Sequence, residues 1–136
     1  MSYDLAVFEI SKAPTTKEAF MEWYSTQADE EEEHDYYSIA VASPKLRNWF
    51  MEMKETFPPM NGEYAPSHDL WDSDPDLQDH VTDYSIGRDM IYAAFAGALC
   101  EEAYECVTEL AKVHDVGFFD ASGDGDIVLP DGTLIE

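Results

Sequence analysis

TDYSIGRDMIYAAFA, residues 82 to 96, is the stretch that decides the fold of this chain. It predicts two strands, Thr82 to Ile86 and Met90 to Ala96, with Gly87-Arg88 near the turn between them. The reason is that two runs rich in aromatic and β-branched residues are separated there by turn residues. Helical patterns lie on both sides of this strand pair, so the fold depends on the order of the elements around it.

One strand and two helices are predicted before the strand pair. Tyr3 to Ile10 is the strand, and the capping-box spacing of Thr15 and Glu18 begins the first helix. Ser43-Pro44 begins the second helix, with serine as N-cap and proline at the first helical position. The apolar residues that recur at helical spacing along this second helix are Leu46, Trp49, Phe50, Met53 and Phe57.

A third helix, Ala98 to His114, and a closing hairpin are predicted after the strand pair. Phe118-Phe119 and Ile127 to Leu129 form the hairpin. This order of elements is close to the ferredoxin-like split βαβ arrangement. We therefore predict an α+β protein, a ferredoxin-like-related sandwich with a mainly antiparallel sheet and helices packed on one face. It folds as a single domain over residues 1–136.

Thirty acidic residues against seven basic ones give the chain a formal net charge of -23. A small domain needs a magnitude of only roughly 2 to 8 to stay soluble, and self-repulsion on this larger scale destabilises the compact state. A basic partner, bound cations or a high-salt habitat would each compensate for it. The acids gather in two predicted loops, at about residues 28–42 and 58–80, and neither loop contains Lys or Arg.

Aromatic residues accompany both acidic loops. Interfaces often combine aromatic anchors with a charged rim, which would make the loops a binding surface. The alternative is that the rings hold the loops against the body of the domain. The predicted partner-binding residues are Asp29, Glu30, Glu31, Glu32, Glu33, Asp35, Tyr36, Tyr37, Tyr64, Asp69, Trp71, Asp72, Asp74 and Asp76.

The sequence contains no motif that indicates catalysis. It has no G-x-S-x-G elbow, no H-E-x-x-H and no glycine-rich phosphate loop. Each of the four histidines has an Asp neighbour, but adjacency does not make a catalytic pair. We therefore predict a non-catalytic binding protein without a cofactor. Because an acidic chain repels nucleic acids, we also expect no direct binding of nucleic acid.

Residues 120–131 have two interpretations. Asp120, Ser122, Asp124 and Asp126 stand at the odd positions of a calcium loop, with Gly125 at its sixth position. The same residues are typical of a β-turn between two strands, and Pro130 opposes the outgoing helix of a calcium-binding motif. We assign no metal-binding residue here.

The location predicted from the sequence is the cytoplasm, without membrane contact. No apolar run approaches the roughly 18 residues that span a bilayer. The first ten residues, MSYDLAVFEI, lack the basic start of a signal peptide. Cys100 and Cys106 lie six residues apart in one predicted helix, about 9 Å along its axis, which is too far for a disulfide between them.

Four segments point to a family: Ser2 to Leu5, Lys45 to Phe50 with Phe57 to Pro59, Thr82 to Ile86, and Gly117 to Asp120. With them the chain resembles the small acidic cytoplasmic proteins encoded beside bacterial polymorphic toxins, including immunity proteins of contact-dependent growth inhibition systems. The resemblance implies a protein that binds its cognate toxin tightly and blocks it. It carries over no contact residue.

The charge is compatible with such a role. A nuclease toxin needs a basic cleft to hold phosphates, and an acidic surface would meet that cleft quickly and occupy it. The expected partner is therefore a cognate basic protein toxin of nuclease type. Two other classes stay open, a nucleic-acid mimic that sequesters a DNA-binding protein and a weak calcium-binding module.

Overall fold

A five-stranded antiparallel sheet forms the centre of the protein in a computed structural model that describes residues 2–29, 39–60, 62–123 and 125–135. Its strands are β1 (Ser2–Phe8), β2 (Asp83–Ile86), β3 (Met90–Ala96), β4 (Gly117–Phe119) and β5 (Ile127–Val128). They lie side by side in the order β2-β3-β1-β4-β5, and every neighbouring pair is antiparallel. The predicted α+β class with an antiparallel sheet is confirmed.

The order of the first four strands is that of the ferredoxin-like arrangement. β3 lies between β1 and β2, and β1 lies between β3 and β4, so the two split βαβ units interleave. The predicted strand over Met90 to Ala96 is confirmed to the residue. β5 adds a fifth strand at the edge and completes the predicted hairpin with β4, in which Phe119 pairs with Ile127.

Among the described residues, five α-helices connect or cover the strands: α1 (Lys17–Asp29), α2 (Pro44–Thr56), α3 (His68–Ser73), α4 (Pro75–His80) and α5 (Cys100–Val113). The start of α2 is as predicted, because Ser43 Oγ accepts a hydrogen bond from the Leu46 N–H at 3.3 Å. The predicted cap of α1 is wrong by one residue. Thr16 rather than Thr15 accepts the hydrogen bond of the Ala19 N–H, at 3.3 Å.

Helices α2 and α5 pack together on one face of the sheet, as predicted. Leu5 and Val7 of β1 point to this side, and the apolar stripe of α2 is buried against them. Trp49 Nε1 donates to the carbonyl of Val107 at 3.4 Å and so joins the two helices. The Tyr84 hydroxyl of β2 donates to the carbonyl of Phe57 at 2.8 Å, which fixes the end of α2 to the sheet.

Helix α1 covers the opposite face, a layer that the sequence did not predict. Successive strand residues point to opposite sides, so Ala6 and Phe8 face α1. The ring of Phe20 lies 4.9 Å from that of Phe8 and 5.3 Å from that of Phe119. The sheet is thus covered on both sides, which explains why residues 5–8 of β1 are all buried.

The predicted loop at residues 58–80 is wrong over its second half, which forms α3 and α4. Ser67 Oγ accepts from the Leu70 N–H at 3.3 Å and begins α3. Asp74 Oδ1 accepts from the N–H groups of Asp76 and Leu77, at 3.0 and 3.3 Å, and begins α4 with Pro75 at its first position. Side-chain caps, rather than an apolar stripe, define these two short helices.

Candidate acidic interface

Three exposed carboxylates of α2 and α5 lie near one another in space, around a cysteine of α5. Glu52 of α2 and Glu102 and Glu109 of α5 are placed around Cys106. Burial raises the pKa of the Cys106 thiol, and the charges of these three glutamates raise it further. We call Glu52, Glu102 and Glu109 the acidic α2–α5 surface.

A histidine lies at each end of the acidic α2–α5 surface. His80 Nε2, at the end of α4, lies 3.0 Å from Glu102 Oε1. His114 Nε2, just after α5, lies 2.8 Å from Glu52 Oε1. Glu102 and His114 are twelve residues apart, or about 18 Å along the helix axis. The two contacts join α4 to α5 and the end of α5 to α2.

The glutamates of this surface keep much of their side chains in solvent. The exposed fraction is 53% for Glu52 and 47% for Glu102, against 16% and 24% for the histidines that contact them. Within the described residues, neither Lys nor Arg forms an ion pair with Glu52, Glu102 or Glu109. No lysine or arginine of the described residues therefore neutralises this surface, and histidine is the residue type that Glu52 and Glu102 contact.

The two lysines of α2 have partners elsewhere. Lys45 Nζ lies 2.6 Å from Asp115 Oδ2, and this hydrogen bond raises the pKa of the lysine. Lys54 Nζ lies 3.0 Å from Glu55 Oε1 and 5.2 Å from the centre of the Tyr64 ring. The cation–π contact holds the Lys54 ammonium group at the Tyr64 ring.

The second predicted acidic stretch lies on α3 and α4. Asp69, Asp72, Asp74 and Asp76 are all exposed, and Trp71 lies within α3. Asp74 also caps α4, so this carboxylate has a structural role in addition to any role in binding. Asp76 is placed near His80 and thereby extends the acidic α2–α5 surface toward α4.

Tyr64 has the contacts of a residue that holds a loop in place. Its ring lies 6.1 Å from the ring of Phe50 and beneath Lys54, although about a third of its surface is exposed. Of the two interpretations of the loop aromatics, these contacts favour attachment to the domain for Tyr64.

Of the predicted partner-binding residues in the first acidic stretch, the structure describes one, Asp29. Asp29 is the last residue of α1, and Ile39–Val41 forms a short 3-10 turn, so neither belongs to a loop that extends over residues 28–42. The other predicted partner-binding residues of this stretch lie outside the described residues and stay predictions: Glu30, Glu31, Glu32, Glu33, Asp35, Tyr36 and Tyr37.

Glu52, Glu102, Glu109 and the two histidines were not predicted as site residues. A signal for two of them, Glu102 and Glu109, was present, because glutamates recur on the polar side of the third predicted helix, at positions 101, 102, 105 and 109. The pairing of His80 with Glu102 had no sequence signal, since the two residues are 22 positions apart.

The hairpin interpretation of residues 120–131 is confirmed. Asp120 Oδ1 accepts from the Gly123 N–H at 3.0 Å, and Asp131 Oδ1 accepts from the Thr133 N–H at 2.9 Å. Hydrogen bonds from Thr133, first from its side chain and then from its N–H, lower the pKa of Asp131. In the described part of the chain there is no group of three or more His, Cys, Asp or Glu that could hold a metal ion. The calcium alternative stays a prediction, because Asp124 lies outside the described residues.

No protein-family model matches this chain, and no curated protein or solved structure is significantly similar to it. Among the described helices, none combines the length and the apolar composition needed to cross a bilayer.

Proposed function

We propose that this protein is a non-catalytic immunity protein that binds and neutralises a basic protein toxin of nuclease type in the cytoplasm. The observation on which the proposal depends is the acidic α2–α5 surface, with half-exposed glutamates that have no Lys or Arg partner among the described residues. The net charge of -23 makes the electrostatic potential of the whole molecule negative as well, which attracts a basic partner.

The physical basis is electrostatic complementarity. A toxin that cleaves nucleic acid needs Lys and Arg to hold phosphates. An acidic surface raises the rate of encounter with such a cleft to as much as about 10⁸–10⁹ M⁻¹s⁻¹ at low salt. Once bound, the carboxylates occupy the positions of the phosphates and exclude the substrate.

Affinity requires apolar anchors in addition to charge, because exposed ion pairs each contribute only about 0.2–1 kcal/mol. Leu70 on α3 is 58% exposed and is flanked by Asp69 and Asp72. An apolar side chain within an acidic helix is the arrangement that a basic partner with an apolar pocket would bind. We include α3 in the proposed interface for this reason.

The test is calorimetry of the full chain with the basic product of the adjacent gene, at several salt concentrations. We expect a one-to-one complex whose affinity falls as salt rises. Absence of any binding to that gene product would end the proposal.

Two variants with equal charge then locate the interface. The double variant Glu52→Gln and Glu109→Gln removes two charges from the acidic α2–α5 surface, and Glu18→Gln with Glu22→Gln removes two from α1. We expect stopped-flow association to slow more for the first pair, because charge near the contact steers encounter. Equal rates would place the interface elsewhere on the molecule.

A nucleic-acid mimic is the second candidate, and the spacing of charges on α5 favours it. Glu101, Glu105 and Glu109 are exposed and follow one another at four-residue intervals, about 6 Å apart along the axis. Such a row would bind several DNA-binding proteins rather than one cognate toxin. Binding of unrelated DNA-binding proteins with affinity equal to that for the adjacent gene product would favour the mimic.

A further inference from the structure

His80 is the residue that joins α4 to the acidic α2–α5 surface, and both of its ring nitrogens face acceptors. Nδ1 lies 2.8 Å from the backbone carbonyl oxygen of Asp76. Nε2 lies 3.0 and 3.2 Å from the two carboxylate oxygens of Glu102. A carbonyl and an ionised carboxylate can only accept hydrogen bonds, whereas neutral imidazole has a single N–H donor. Both contacts are hydrogen bonds only when the ring is doubly protonated.

The surroundings of the ring hold it in this position. The Phe57 ring lies 5.3 Å from the imidazole, and the side chain of His80 is 24% exposed. The Thr82 hydroxyl donates to the carbonyl of His80 at 2.9 Å. The charges that face the ring are those of Asp76 on α4 and Glu102 on α5, while the end of α2 contributes the uncharged ring of Phe57. The site therefore favours a cation.

The pKa of His80 is shifted in the direction that this geometry requires. Burial lowers the pKa of His80, but the hydrogen bonds and charges of Asp76 and Glu102 raise it, and the net pKa lies above the ordinary 6.5. A group whose pKa is raised on folding stabilises the folded state fully below its unfolded pKa. That stabilisation is lost as pH rises through the folded pKa.

We propose that His80 is a proton-dependent contact that holds α4 against α5, and that loss of its proton releases Glu102. After deprotonation a single N–H is left for two acceptors. The proposal requires that this N–H stays with the Asp76 carbonyl, which belongs to the same helix, so that the Nε2 lone pair faces the carboxylate of Glu102. The contact between the two helices is therefore the one that fails. At higher pH the released carboxylate of Glu102 then adds a free negative charge to the acidic α2–α5 surface.

The effect on a partner rests on the proposed function, but the contact itself does not. A basic partner competes with the imidazolium for Glu102, so its affinity would rise with pH as His80 loses its proton. The proton-dependent contact is tested on the protein alone, so its failure is distinguishable from failure of the immunity role.

The chain contains a matched control for this contact. His114 also joins two elements through a glutamate, with Nε2 2.8 Å from Glu52, and its side chain is 16% exposed. In the described part of the protein, the contact of Nε2 with Glu52 is the only hydrogen bond of the ring. A single N–H satisfies that arrangement, so the neutral ring of His114 can keep its hydrogen bond.

The experiment is an NMR titration of the imidazole nitrogens of the full chain between pH 5 and 9, with hydrogen exchange of the Gln78 and Val81 amides at pH 6 and 8. We expect a doubly protonated His80 ring at pH 6, a titration midpoint above 6.5, and lower protection factors of the two amides at pH 8. Glu102→Gln should lower the midpoint and remove the pH dependence of protection. His114→Gln should leave both unchanged.

Three results would overturn the proposal. They are a His80 ring with one protonated nitrogen at pH 6, equal protection factors for the α4 amides at both pH values in the unaltered chain, and a midpoint that Glu102→Gln does not lower. Because Glu102 is exposed, the variant is expected to fold, and a far-UV spectrum checks this.

Discussion

The two faces of the sheet are covered by helices of different character. On the α1 face the rings of Phe8, Phe20 and Phe119 pack together. The Tyr92 hydroxyl donates to the carboxylate of Asp4, so this acid of β1 has a partner inside the protein. On the other face, α2 and α5 bury an apolar stripe and direct carboxylates outward.

This difference separates two roles within one small domain. Aromatic packing stabilises the α1 layer without contributing to the acidic α2–α5 surface. The α2–α5 layer, in contrast, has to fold against the repulsion of its own glutamates. We therefore expect variants of the α1 layer to change stability and variants of the acidic surface to change binding.

The largest effect is expected for Phe20→Ala. Phe20 is fully buried between Phe8 and Phe119, and removal of such a ring costs about 3–5 kcal/mol of unfolding free energy. Urea denaturation measures this. Met21→Ala, at an exposed neighbouring position, should change the unfolding free energy by less than about 0.5 kcal/mol. If folded Phe20→Ala also lost partner binding, the two layers would not be separate.

A smaller loss of stability is expected for Gly117→Ala on the same face. A Cβ atom at Gly117 would lie 2.2 Å from Cζ of Phe8, whose ring is confined by Phe20 and Trp23. Overpacking of this kind costs about 1–3 kcal/mol.

A double-mutant cycle of Gly117→Ala with Phe8→Leu measures how much of this cost comes from the ring. The shorter leucine should relieve part of the clash. Purely additive effects on the unfolding free energy would show that Phe8 is not the cause.

The smallest effect is expected from salt. Raising the concentration of sodium chloride screens the repulsion among exposed carboxylates, so the melting temperature of the isolated protein should rise. The variant Glu52→Gln with Glu109→Gln should gain less from salt than the unaltered chain, because part of its repulsion is already removed. Differential scanning calorimetry provides the comparison. A melting temperature independent of salt would contradict the assumed repulsion.

The sequence predicted well those elements whose signal lies within a few neighbouring residues. Ser43-Pro44 begins α2, and β3 has the predicted bounds, because a cap or a strand pattern depends on local chemistry. Helix α4 was missed because six residues are too few for a helical repeat to be seen, and only Asp74 and Pro75 indicated it.

The parts that could not be predicted depend on which elements meet. The apolar residues of α1 indicate that the helix buries one side, but not which face of the sheet it covers. The continuous apolar run Leu5-Ala6-Val7-Phe8 was the available sequence signal for a sheet covered on both faces. The meeting of His80 with Glu102 likewise depends on the packing of α4 against α5, to which the whole fold contributes.

Cys106 lies beneath the acidic α2–α5 surface, so the reactivity of its thiol depends on what is bound to that surface. The thiolate is the reactive form of cysteine, and here burial and, to a smaller extent, the charges of the surrounding glutamates raise the pKa of the thiol and disfavour that form. A cation bound among those glutamates would offset their charge and ease ionisation of the sulfur. The rate of alkylation of Cys106 is thus an internal chemical gauge of whether a basic molecule is present.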